Sequence, residues 1–151
     1  MSFDSRPAFC VSLRGQELRA TMAVQMELHK IIITDTQDQQ IIMLKEVDGE
    51  RKFPMVIGTD SATAIERRLK GTPAPRPMTH DLLSNVIEQL GGTVERIEIN
   101  NLQDHTFFAS IHIRRNGEVI EIDSRPSDAI ALGIATTVPI FVAEHVLDEV
   151  C

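Results

Sequence analysis

Apolar positions along the chain recur with two periods, near two and near 3.6 residues, and the switches between them mark the elements. Residues 27–34 turn β-branched towards Ile31-Ile-Ile33 and predict a strand. Residues 35–40 are polar turn material, and 41–45 predict a second strand. Asp48-Gly49 marks a tight hairpin turn. A third strand over 52–57 contains Pro54, which cannot donate a ladder hydrogen bond and so marks an edge or a bulge. Three strands joined by short links make a meander.

The period then lengthens. A helix is predicted over 59–70, with Ala62, Ile65 and Leu69 on its inner face and Gly71 as its stop. Three prolines in Thr72-Pro-Ala-Pro-Arg-Pro77 forbid a helix and stiffen the connection. Thr79 is the expected N-cap of a second helix, with Leu82, Leu83, Val86, Ile87 and Leu90 as its buried stripe and Gly91-Gly92 as its end. Strands are predicted over 93–102, 106–115 and 118–123, the last two joined by an Asn116-Gly117 hairpin turn. Pro126 suits the first position of a helix whose residues 129–135 are almost wholly apolar, so that it is buried on most sides. A short strand over 139–142 and an amphipathic helix over 143–150 complete the chain.

This order predicts an α+β fold: one domain, with a mixed sheet of about six to seven strands and about three to four helices packed on it. The domain covers residues 26–151. Residues 1–25 have no sustained period and are expected to be a loosely ordered extension, with Met22 and Met26 as alternative starts.

Composition narrows the function classes. A net charge of −7 argues against a broad basic surface that grasps phosphates. Residues 1–25 carry three Arg against one Asp and one Glu, so the remainder is more acidic than the whole. Tyr and Trp are absent, which disfavours a platform for stacked bases. No apolar run approaches the length of a membrane span, and no secretory leader is evident, so a soluble cytoplasmic protein is expected. Cys10 and Cys151 suit a reducing compartment and make neither a metal knuckle nor a disulfide framework.

Two segments place polar residues where packing does not require them. In the first, Arg76 leaves the proline-rich loop and His80 and Asp81 occupy the first turn of a helix. His80 suits a general base or a metal ligand, and Asp81 meets the positive end of the helix dipole. Both residues also suit mere decoration of a helix start. In the second segment, Asp123 ends a strand and Asp128 opens the apolar helix, with Arg125 and Ser127 between them. Facing carboxylates there could hold a divalent cation, Mg or Mn, through oxygen ligands. Equally, Arg125 could pair with Asp123 while Ser127 or Asp128 satisfies backbone N–H groups. The Asp123–Asp128 segment is the stronger half of this cluster and His80 the weakest member.

From about Met26 to Val150 the chain resembles the bifunctional nuclease domain family. The likeness rests on Leu44-Lys-Glu-Val with Asp48-Gly-Glu-Arg, on Pro54 leading into Ile57-Gly58, and on Arg76-Pro-Met-Thr-His-Asp-Leu-Leu83. It continues through Asp123-Ser-Arg-Pro-Ser-Asp-Ala-Ile-Ala131 and Pro139-Ile-Phe-Val-Ala143. The resemblance implies cleavage of DNA or RNA and a homo-oligomer, a dimer by preference. Placed on its motifs, the chemistry above assigns catalysis to Arg76, His80, Asp81, Arg125 and Ser127, and the cation to Asp123 and Asp128. The alternative is a non-catalytic binding or regulatory oligomer in which the Asp/Arg cluster is structural.

Overall fold

The computed structural model describes residues 22–36 and 38–151. Seven strands, β1 (Ala23–Ile32), β2 (Gln39–Glu46), β3 (Lys52–Gly58), β4 (Thr93–Gln103), β5 (Thr106–Arg115), β6 (Glu118–Ser124) and β7 (Ile140–Ala143), form one sheet in the order β3-β2-β1-β7-β4-β5-β6. Among the described residues, four α-helices accompany it: α1 (Thr59–Lys70), α2 (Thr79–Gln89), α3 (Pro126–Gly133) and α4 (Glu144–Val150). Two antiparallel meanders are thus welded through β7, which runs antiparallel to β1 and parallel to β4. This is the expected α+β arrangement with a mixed sheet.

Local chemistry explains most boundaries. In β3, Phe53, Met55 and Ile57 are buried while Lys52, Pro54 and Val56 face outward, and Pro54 is tolerated because β3 is an edge strand. Gly71 closes α1 in the left-handed region at φ 66°. Asn116 and Gly117 both adopt positive φ, as a two-residue hairpin turn demands. The sheet begins at Ala23 rather than at Met26, because Ala23–Gln25 pair with Phe141–Ala143. Residues 1–21 of the expected extension, Cys10 included, lie outside the described residues. Among the described residues, no helix is long and apolar enough to cross a membrane.

Three expectations about packing fail, each for a physical reason. Leu69 is exposed and the buried position beside Ile65 belongs to Arg68. Thr79 is the first residue of α2 and not its cap; Met78 is the N-cap, and the Asp81 carboxylate accepts the Met78 N–H at 3.0 Å. The stripe Leu82–Leu90 is not buried, since α2 has no buried residue at all. The reason is visible in one row of side chains across the sheet. Met26, Ile140, Ile97, Ile111 and Ile122 are register neighbours, and Ile111 is only 5% exposed whereas Ile122 on the edge strand is 44% exposed. Among the described residues, the helix layer stops short of β6, so α2 borders an apolar trough that none of them covers.

Candidate functional site

The site is assembled where the first turns of α2 and α3 meet. Pro126 fixes the start of α3 at its first position, and Asp128 follows in the first turn, where exposed N–H groups favour a negative charge. Every residue of α3 except Asp128 is buried. His80 occupies the corresponding turn of α2, and its Nε2 lies 3.0 Å from Asp128 Oδ1. Arg125, the N-cap of α3, donates from Nε to Asp128 Oδ2 at 2.8 Å. Burial alone would raise the Asp128 carboxyl; hydrogen bonds from Arg125 and His80 outweigh it and hold the group below the ordinary carboxylate range. The carboxylate is therefore ionised at neutral pH and can only accept. It follows that His80 Nε2 carries a proton in this contact, so the lone pair of a neutral imidazole there lies on Nδ1.

These three side chains differ in exposure: His80 14%, Asp128 33% and Arg125 72%. They form a divide between two hollows. One, of about 640 Å³, is a trough with an aliphatic floor including Ile111, Ile113 and Ile122, walled by Leu83 of α2. The other, of about 460 Å³, reaches Asp60, Ser61 and Arg67 of α1. The two sequence segments thus meet at an open surface and not in a sealed core.

Asp81 has a different setting. Its carboxylate accepts from Met78 N–H, from Arg67 Nη2 at 2.7 Å and from Arg68 Nη1. Burial would raise this carboxyl, but the three donors prevail and hold it below the usual range. Arg68 is almost fully buried, and it also donates from Nε to Ala131 O at 2.6 Å and from Nη2 to Leu132 O at 3.0 Å. Those are carbonyls of the last turn of α3, which lack helical partners and favour a cation. Sequence reasoning missed Arg67 and Arg68. The signal was there, because Arg68 falls at helical spacing from Ala62 and Ile65 on the apolar face.

The remaining candidates are not drawn into the group. Ser127 is buried and borders a separate hollow with Met55 and His105. Arg76 is exposed, and among the described residues its side chain has no hydrogen bond or ion pair. Asp123 stands opposite Ser110 in the sheet register and touches the rim of the trough. No contact joins it to Asp128 among the described residues, and no set of three or more His, Cys, Asp or Glu there is arranged to hold a metal ion. Both Asp128 oxygens have partners in this arrangement, His80 on Oδ1 and Arg125 on Oδ2. Of the candidates, His80 lies against Asp128, whereas Asp123 lies at the rim of the trough.

Comparison with known proteins places the chain among sequence relatives. Residues 42–151 match the model of the bifunctional nuclease domain. An uncharacterized protein of Mycobacterium tuberculosis (strain ATCC 25618 / H37Rv) is 38% identical over 119 residues, 79% of this chain and 71% of the relative. Bifunctional nuclease 1 of Oryza sativa subsp. indica is 24% identical over 143 residues, 91% of this chain and 42% of the relative. Bifunctional nuclease 1 of Arabidopsis thaliana is 22% identical over 142 residues, 91% of this chain and 43% of the relative.

Proposed function

The chain belongs to the bifunctional nuclease domain family, and on that premise we propose that it hydrolyses phosphodiester bonds of DNA and RNA at the His80–Asp128–Arg125 group. The observation that carries the reading is the 3.0 Å contact of His80 with an ionised carboxylate at an open trough. His80 Nδ1 removes a proton from an attacking water, and Asp128 stabilises the imidazolium that forms. Arg125 is gripped through Nε, which leaves its terminal nitrogens as a fork for phosphate oxygens. As the water oxygen bonds to phosphorus, the ester P–O bond breaks and the imidazolium returns the proton to the leaving oxygen. Attack by water needs no 2′-hydroxyl, so one site serves both nucleic acids. The acidic chain makes few phosphate contacts, and its affinity falls only gently with salt.

One observation favours a second reading, a non-catalytic module: the Asp81 carboxylate is wholly engaged by Arg67, Arg68 and Met78 inside the protein. Incubating purified protein with linear DNA and RNA, with and without chelator, separates the two. The hydrolytic reading expects cleavage of both substrates and a loss of about 10²-fold or more in Asp128→Asn. Unchanged cleavage in that variant removes the site, and a chelator-sensitive reaction assigns a cation to it.

We further propose that a second copy of the chain covers the α2–β6 face. That face holds both a ridge, with Leu82 and Leu90 at 56% and 63% exposure, and a trough floored by Ile111 and Ile122. A two-fold axis can seat each ridge in the other's trough, the self-complementarity that a symmetric dimer requires. Light scattering is expected to report a dimer for the native chain and a monomer for Leu82→Glu. A native monomer contradicts it.

A further inference from the structure

We propose that Arg68 is the positioning residue that sets His80 against Asp128. The inference rests on the reading of that pair as the reacting group. With no fully buried residue, α2 is held against the core by few apolar contacts, chiefly the half-buried Ile87 well beyond its first turn. Its first turn is instead tied to α3 by two consecutive residues. His80 reaches Asp128 directly, and Asp81 reaches Ala131 and Leu132 through the Arg68 guanidinium. Ala131 and Leu132 lie one helical turn beyond Asp128. Neighbouring residues of α2 are therefore bonded to neighbouring turns of α3, and two such ties fix both the separation and the rotation of one helix against the other.

The chemistry of the second tie is specific to arginine. Three acceptors, two carbonyls and a carboxylate, are met at once by the Nε, Nη2 and Nη1 hydrogens of one planar group. A lysine ammonium keeps the charge and loses that fixed fork. Arg67 serves as the internal control. It grips the same Asp81 carboxylate at 2.7 Å and the Thr72 carbonyl at 3.2 Å, but it has no bond to α3 among the described residues. Losing Arg67 removes charge beside Asp81 without removing the bridge.

The test is the ¹⁵N spectrum of the His80 imidazole at neutral pH, assigned by the signals that vanish in His80→Gln. For the neutral imidazole of the wild type, a single tautomer protonated at Nε2 is expected. Arg68→Lys, checked by circular dichroism for an intact fold, is expected to give the averaged tautomer signals of a free imidazole, as Asp128→Asn does. Arg67→Ala is expected to keep the wild-type pattern. Should Arg68→Lys fail to fold, Asp81→Ala removes the acceptor and cuts the same tie while leaving the bonds from Arg68 to α3, and predicts the same averaging. A wild-type pattern in Arg68→Lys or in Asp81→Ala overturns the proposal. Cleavage assays run beside the spectra keep the two readings apart. A wild type that cleaves nothing removes the nuclease reading, while the spectra still decide whether Arg68 positions His80. A cleaving wild type predicts a kcat about 10²-fold lower in Arg68→Lys, the scale of a misplaced reacting group.

Discussion

Helices α2 and α3 each contribute half of the polar group, yet they are held in opposite ways. In α3 every residue but Asp128 is buried, so apolar packing from all sides fixes that carboxylate. In α2 no residue is fully buried, only Ile87 packs on the core, and the first turn is tied by hydrogen bonds and ion pairs. The proposed base thus sits on the weakly packed partner and its carboxylate on the rigid one. The lesson is that the site lies at a border. Its geometry depends on polar ties whose loss need not unfold the sheet, and the apolar side of α2 is left available to another surface.

The sharpest way to break this comparison is a matched pair of truncations. Leu132→Ala in α3, where the side chain is 2% exposed, is expected to cost about 2–5 kcal/mol in denaturant unfolding. Leu90→Ala at the C-cap of α2, measured where the chain is monomeric, is expected to change stability by no more than about 0.5 kcal/mol. Equal losses would mean that α2 is packed as firmly as α3. Next in size is Asp81→Ala, which strips the carboxylate from a buried guanidinium. A loss of about 2–3 kcal/mol is expected, below the range for sealed pairs because the Asp81 side chain is a quarter exposed.

Acid unfolding provides the smaller, finer test. Asp81 and Asp128 both titrate below their ordinary value of 3.8 in the folded chain. The unfolded chain therefore binds protons first as the pH drops, so their stabilisation is complete at neutral pH and fades through and below that ordinary value. Melting temperatures recorded from pH 7 downward should fall in that acidic window, and Asp128→Asn should flatten the fall. An identical acid profile in the variant would mean that the carboxylate is not held by its partners.

Much of the fold was legible because its determinants are local. The alternation of Phe53, Met55 and Ile57, the Asn116-Gly117 turn and the Gly71 stop each depend on a few adjacent residues. The turn at Asp104 and His105, which also takes positive φ at both residues, carries no glycine to announce it. The exposure of the α2 stripe was not legible, since periodicity reports that a face is apolar and not whether anything lies above it. The candidate site was legible as residue types in two segments, but its pairing was not. His80 and Asp128 are 48 residues apart, and nothing local distinguished that contact from a pairing of Asp123 with Asp128. Arg68 was hidden for a related reason: a charge on an apolar face reads as a surface residue until its carbonyl acceptors are seen.

The decisive measurement is the cleavage rate of single-stranded RNA and DNA by His80→Gln against the wild type, with the melting temperature of each recorded alongside. His80 as the proton-transfer group predicts a rate at least about 10²-fold lower at an essentially unchanged melting temperature, on both substrates. A His80→Gln variant that cleaves either substrate at the wild-type rate would contradict it.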